Sequence, residues 1–302
     1  MADLSSVYCG LTLANPFIAS ASPLTAELSS VKQLQQAGAA AVVLPSLFEE
    51  SVKHKASVLD DYADKIKSYK DALNVPVIAS LNGITEGGWL EHAARLEKAG
   101  CDAIELNIYY IAANVNESSD QIERRYIDLV YKLRSHIGVP IAVKLTHQFS
   151  SVAHLVKRLE DTGVDGVVLF NRFYLPDIDI DSMKVLPSLQ LSSSNEALLR
   201  IRWIGLLRDQ VRLSLSATGG MHCLDDALKA LLVGADSIQL CSVLFQKGVG
   251  EINRLRDQLE QWLDEKGHDG VDNIKGTMSY GRVPDPSAFE RANYLQVLEE
   301  NS

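Results

Sequence analysis

What most constrains the fold of this chain is an alternation, kept from end to end, of short apolar runs with longer amphipathic segments. Parallel strands need long crossover connections, usually helices, so a βαβα order of this kind predicts a parallel sheet. Eight runs read as strands: Phe17 to Ala21, Ala40 to Leu44, Val77 to Leu81, Ala103 to Asn107, Ile141 to Leu145, Gly166 to Phe170, Leu213 to Ala217 and Ser237 to Cys241. Each is apolar on both faces, as a strand sandwiched between a filled interior and an outer helix layer has to be. Eight such units in 302 residues predict one (β/α)8 TIM barrel spanning the whole chain, with a C-terminal extension from about residue 272.

Four of the intervening helices close on a related phrase, Ala37-Gly38-Ala39, Ala99-Gly100-Cys101-Asp102-Ala103, Thr162-Gly163-Val164-Asp165-Gly166 and Val233-Gly234-Ala235-Asp236-Ser237. Glycine suits the turn after a helix, and the short residues that follow lead back into the sheet. Pro76 and Pro140 stand at strand starts, where a missing amide donor is tolerated. Two connections after strands are long, Glu49 to Lys53 and Phe173 to Asn195, and in a barrel such loops collect on one rim. The tail from Tyr280 to Tyr294 mixes aromatics with Pro284 and Pro286, which predicts an ordered segment that folds back over the barrel or bridges two copies.

A net charge of -10 with scattered basic residues argues against nucleic acid as a partner. No run reaches the roughly 20 apolar residues that span a bilayer, and Met1 to Ser6 does not resemble a signal segment. A cytoplasmic protein with no membrane partner is expected. Cys9, Cys101, Cys223 and Cys241 show no metal-type pairing and read as reduced thiols. The seven histidines lack ligand spacing, so no metal is expected. Of them only His147 and His222 follow strands closely enough to reach the rim, and both read as solvated loop residues.

Three groups carry chemistry. Thr218-Gly219-Gly220 ends the seventh strand and Cys241-Ser242 follows the eighth, where barrels cradle a phosphate on backbone amides; a tight turn needing glycine only for its dihedral angles is the alternative. Lys144 interrupts the apolar strand Ile141-Ala142-Val143-Lys144-Leu145, a costly placement without a negative partner. That partner is either a ligand or a carboxylate on a neighbouring strand. Asn82, Asn107 and Asn171 each end a strand on the same rim, and their amides offer both donors and acceptors to a ring ligand.

With these residues in place the chain resembles the soluble dihydroorotate dehydrogenases over nearly its whole length. The likeness is carried by Leu13-Ala14-Asn15-Pro16-Phe17-Ile18-Ala19-Ser20-Ala21-Ser22, by Ala99 to Asn107, by Pro140 to Leu145 and by Ala217-Thr218-Gly219-Gly220-Met221. The resemblance implies flavin mononucleotide (FMN) as cofactor and hydride transfer from a small-molecule donor to flavin N5. It implies that Ser20, Ala21 and Ser22 line the flavin, that Ser46, Asn82, Asn107 and Lys144 contact its ring or ribityl chain, and that Gly219, Gly220, Cys241 and Ser242 hold its phosphate. Lysine beside N1 and O2 would stabilise the anionic reduced ring. Asn107 and Asn171 would reach the substrate. A homodimer and an electron-transfer partner protein are further implications.

The departures concern the substrate. Where the family has a Cys or Ser base after the fourth strand, this chain has Tyr110, in Asn107-Ile108-Tyr109-Tyr110. A phenol of pKa ~10 acts as a base only when a cation or strong hydrogen bond lowers it, and an aromatic lid is the other reading. The family's lysine after the second strand is replaced by Pro45, and no Asn-rich loop occurs between Ser51 and Val75. The pattern describes a divergent branch. Two further readings stay open: a phosphate-binding lyase or isomerase using Lys144 for imine chemistry, and a flavin carrier in which Tyr109 and Tyr110 plug the substrate space.

Overall fold

The computed structural model describes residues 1–83 and 88–300. Eight parallel strands close a barrel: β1 (Phe17–Ala19), β2 (Ala41–Val43), β3 (Val77–Asn82), β4 (Ala103–Asn107), β5 (Ile141–Leu145), β6 (Gly166–Leu169), β7 (Ser214–Thr218) and β8 (Ser237–Leu240). Each strand pairs with the next in the chain, and Ile238 of β8 lies beside Phe17 of β1 to close the ring. The chain is thus a (β/α)8 TIM barrel. The strands fall where the apolar runs lie, several of them a residue or two shorter, because pairing stops where the backbone turns out to the rim.

The outer layer comprises α1 (Leu28–Gln36), α2 (Ser57–Ala72), α3 (Trp89–Lys98), α4 (Ser119–Arg134), α5 (Val152–Asp161), α6 (Ala197–Leu207), α7 (Leu224–Val233) and α8 (Glu251–Lys266). Their buried faces meet the outward residues of the strands, such as Ile104, Leu106, Val143 and Val167, in one continuous apolar shell. Successive strand residues point to opposite faces, so the alternate positions fill the interior. At one end these are small: Ala41, Ala103 and Ala142 with Ile18, Val43, Ile78 and Val168.

Small residues leave the barrel floor unfilled, and an N-terminal hairpin fills it. Ser6–Tyr8 pairs antiparallel with Leu11–Leu13 and delivers Tyr8 and Cys9 into the interior cluster. Gly166 makes room for it, since a Cβ there would sit 2.6 Å from the Cys9 sulfur. This hairpin was not foreseen: three-residue strands at a barrel end carry no periodicity long enough to read.

Both long connections carry structure of their own. Glu49–His54 is a short helix, and the segment after β6 holds an antiparallel hairpin, Asp177–Asp179 with Lys184–Leu186, before a 3-10 turn at Ser194–Glu196. The C-terminal extension folds back: Met278 N–H donates to the Leu232 carbonyl at 2.8 Å, Tyr280 N–H to Gly205 at 3.0 Å, and Phe289 packs directly over Gly205. Among the described residues no helix is long and apolar enough to cross a membrane.

Candidate active site

Rising toward the C-terminal end of the strands, the interior turns from small apolar residues to polar ones. Lys144 and Glu105 occupy inward positions of neighbouring strands, and the ammonium lies 3.2 Å from Glu105 Oε1. Gln239 Nε2 donates to the other oxygen at 2.7 Å, the Ser20 hydroxyl donates to Gln239 Oε1 at 3.0 Å, and Lys144 Nζ donates to Ser20 at 3.4 Å. The four side chains form a closed ring of hydrogen bonds, all of them buried. A buried lysine is tolerable only when paired and hydrogen-bonded, and here it is both. Lys144 therefore has its carboxylate on an adjacent strand and also lines the cavity above.

That cavity, of about 260 Å³, is bounded by Ser20, Ala21, Ser22, Lys144, Asn171, Thr218, Gly219, Gly220, Cys241 and Ser242 among others. Gly219 and Gly220 adopt φ of +80° and +86°, a region that side chains strongly disfavour. Packing reinforces the restriction. A Cβ on Gly219 would lie 2.8 Å from Arg200 Nη2, and one on Gly220 would strike the backbone at Ala197. Both glycines are thus required by the turn's own conformation and packing; the turn borders the cavity, with the Gly220 N–H donated to Ser192. Burial raises the Cys241 thiol above its ordinary pKa, opposed by nearby Lys144, so Cys241 stays protonated.

The loop after β6 is pinned into this end of the cavity by Ser192. Its hydroxyl accepts from Gly220 N–H at 3.2 Å and shares a 2.9 Å hydrogen bond with His222 Nε2, while its own N–H donates to Ser242 Oγ at 3.1 Å. His222 is buried rather than solvated as expected. Its N–H donates to Asp226, its carbonyl accepts from Lys247 Nζ at 2.7 Å, and burial foremost lowers its pKa. His147 is exposed at the rim, its ring edge against Phe170.

A second chain of polar groups runs along the mouth. Ser80 and Ser46 hydroxyls are 2.8 Å apart, Asn107 Nδ2 donates to Ser46 at 3.3 Å, and Asn171 Nδ2 donates to Asn107 Oδ1 at 2.6 Å. Asn82 stands beside Asn107 in the β3–β4 register. Of this group Asn171 borders the cavity directly; Ser46 and Asn107 are joined to it through hydrogen bonds. Ser22 caps the turn that follows β1, accepting from Leu24 N–H.

The two tyrosines after β4 part company. Tyr109 stacks on Phe173 with ring centroids 3.9 Å apart and accepts from Tyr174 N–H, tying the β4 loop to the β6 loop. The Tyr110 hydroxyl donates to Glu117, and the Arg125 guanidinium lies over its ring at 4.3 Å. Both partners of Tyr110 lie at or just before α4, and Tyr110 does not border the cavity. Those two hydrogen bonds, with Tyr110 and Arg125, hold the Glu117 carboxyl below its usual pKa.

Beside the cavity, and sharing Asn171, Arg172, Tyr174 and Gln190 with it, lies a compartment of about 620 Å³. Arg172 and the buried Arg200 enter it with Glu196 between them. Glu105, Gln239, Ser192, Arg172 and Arg200 had not been singled out from the sequence. Glu105 and Gln239 carry the same signal as Lys144, a polar residue at an inward position of an apolar strand. Ser192 and Arg172 reach the site through a loop whose path no periodicity reveals, and Arg200 reaches it from the first turn of α6.

Residues 48–263 match the family model for dihydroorotate dehydrogenase. A catalytic subunit of dihydroorotate dehydrogenase B (NAD(+)) from Thermoplasma volcanium is 26% identical, the alignment covering 91% of this chain and 98% of that protein. Dihydroorotate dehydrogenase A (fumarate) from Lactobacillus delbrueckii is 23% identical across 78% of this chain and 80% of its own length. The NAD-dependent dihydropyrimidine dehydrogenase subunit PreA of Escherichia coli is 22% identical across 93% and 78%. With the match spanning well over half of a closed eight-stranded barrel, the chain belongs to the dihydroorotate dehydrogenase family.

Proposed function

We propose that the chain is an FMN-dependent oxidoreductase acting on a CH–CH bond of a small donor related to dihydroorotate or a dihydropyrimidine. One observation carries the reading: Lys144 on β5 and the Gly219–Gly220 turn after β7 border the same cavity. A glycine turn of this kind suits a phosphate, and an ammonium with mixed polar neighbours suits a ring that gains negative charge on reduction. Thr218, Gly219, Gly220, Cys241 and Ser242 would hold the phosphate end, and Ser20, Ala21, Ser22 and Lys144 the ring end. A flavin bound there would supply two-electron transfer with the donor.

The chain's own residues do the positioning. Glu105, Gln239 and Ser20 fix the Lys144 side chain in place. The Asn107–Asn171 pair offers its amides to a donor at the mouth. The Tyr109–Phe173 stack holds the β4 and β6 loops together beside that space. Tyr110, its hydroxyl donated to Glu117, acts by anchoring the β4 loop. Imine chemistry at Lys144 is disfavoured because its amine is held by Glu105 and Ser20 beneath the cavity and is not free to attack a carbonyl. By extension from relatives named as subunits, the reading includes a protein partner that takes up the electrons.

The test is the visible spectrum of the purified protein, before and after incubation with FMN. Flavin bands at close to one flavin per chain, bleached by a dihydropyrimidine-type donor, are the expected result. A chain that stays colourless after loading overturns the proposal.

A further inference from the structure

Where the loop after β6 meets the Gly219–Gly220 turn, an oxygen atom already sits among donors. The Ser192 hydroxyl accepts from the Gly220 N–H at 3.2 Å and lies 2.9 Å from His222 Nε2, while the Ser192 N–H donates to Ser242 Oγ at 3.1 Å. Ser192, Gly220, His222 and Ser242 all border the cavity, and Ser192 and His222 are buried. His222 differs from the other three in that it can change its charge, since histidine is the side chain whose ordinary pKa falls in the physiological range.

The groups around that ring are already engaged. From α7, the Asp226 carboxylate accepts from the His222 and Cys223 N–H groups at 3.0 and 3.2 Å, from the Cys223 thiol at 3.2 Å and from the Ser194 hydroxyl at 2.7 Å. From the helix Ser242–Lys247, Lys247 Nζ donates to the His222 carbonyl at 2.7 Å and pairs with Glu251 at 3.4 Å, and Gln246 donates to the Ser192 carbonyl at 3.4 Å. From the turn before α6, Glu196 pairs with Arg172 and Arg200. Burial foremost, with Lys247, lowers the His222 pKa against the pull of Asp226, Glu196 and Gln246. The ring is therefore neutral at pH 7 and free to take up a proton when a further negative charge arrives.

The state of Nε2 decides what Ser192 can do. A bare Nε2 uses the Ser192 O–H as its donor. Once Nε2 carries a proton, Ser192 Oγ accepts from the ring as well as from Gly220, and its O–H is released toward the cavity. The two states differ by one proton, taken from solvent at Nε2. We propose that His222, acting through Ser192, is the positioning residue that selects a flavin bearing a phosphate monoester over the same flavin without one, by binding a proton as the dianion enters. This selection rests on the flavin reading above.

Calorimetric titration of the protein, freed of any bound flavin, with FMN and with riboflavin tests this in buffers of different ionisation enthalpy at about pH 7.5, where a phosphate monoester is mostly a dianion. FMN should bring about half a proton or more into the complex, and its Kd should rise about threefold or more per pH unit between about pH 7 and 8.5. Riboflavin should bind with neither effect. His222→Gln should abolish the uptake and the pH dependence seen with FMN and leave riboflavin affinity unchanged. The proposal is overturned if FMN binds without proton uptake, if riboflavin brings the same uptake, or if the uptake persists in His222→Gln. Should that variant fail to fold, the comparison of FMN with riboflavin on the unaltered protein decides alone. If neither flavin binds, the cofactor reading falls and the selection with it, whereas FMN bound without uptake removes only the role of His222.

Discussion

The Lys144 ammonium and the Glu105 carboxylate face each other at 3.2 Å on neighbouring strands, both buried beneath the mouth of the barrel. Removing one member of a buried pair strands the other charge, at a cost of about 3–5 kcal/mol. Lys144→Met and Glu105→Gln should therefore each lower stability by an amount of that order. The double variant should recover part of the loss, because no unpaired charge remains. Urea denaturation of the four proteins measures the coupling, and strictly additive losses would show that the two side chains do not meet.

Gly220 tolerates no side chain, on two independent grounds: its φ of +86° and the backbone of Ala197 packed against it. The left-handed conformation alone costs an alanine about 1 kcal/mol or more, and the steric clash has to move α6 or the turn. Gly220→Ala should lower the melting temperature and, on the proposed flavin reading, reduce the FMN taken up to a small fraction of what the parent protein takes up. A variant that retains a full complement of flavin would show that the turn takes no part in holding it.

The barrel was legible because buried parallel strands are short uninterrupted apolar runs, and all eight could be picked out by that property. Lys144 and the Gly219–Gly220 turn were legible for the complementary reason: a charge inside an apolar strand, or a double glycine at its end, breaks the local rule. Tyr8 and Cys9 plugging the floor, Ser192 reaching Gly220 and Ser242, and Arg172 meeting Glu196 were not. Each depends on where a loop travels in three dimensions, and nothing in the spacing of Phe173 to Asn195 records that path. His222 illustrates the same limit, since it is buried and its ring meets Ser192 from the loop after β6.

Tyr110 separates two mechanisms cleanly. A general base contributes about 10²–10⁴-fold to turnover, so its removal would be conspicuous. With the hydroxyl donated to Glu117 and the ring under Arg125, Tyr110→Phe should keep turnover within a few-fold of the parent enzyme while modestly loosening the β4 loop. Steady-state rates with whichever donor bleaches the flavin decide the matter. A collapse of turnover by two orders of magnitude or more would make Tyr110 the base after all.

His222 makes stability depend on pH in a definite direction. Burial, aided by the charge of Lys247 and opposed by Asp226, lowers its pKa in the folded protein below the ordinary value of 6.5. Between the two pKa values the unfolded chain binds the extra proton, so stability rises with pH there. The contribution is complete above 6.5 and is lost as pH falls toward the folded value. His92 and His147 are lowered for the same leading reason, so the parent protein should lose stability on acidification through several groups together. His222→Gln removes one of them, keeps an amide that can reach Ser192, and should flatten the decline in melting temperature between about pH 7 and pH 5. Thermal melts across that range read the slope directly, and an unchanged slope would place His222 in contact with solvent.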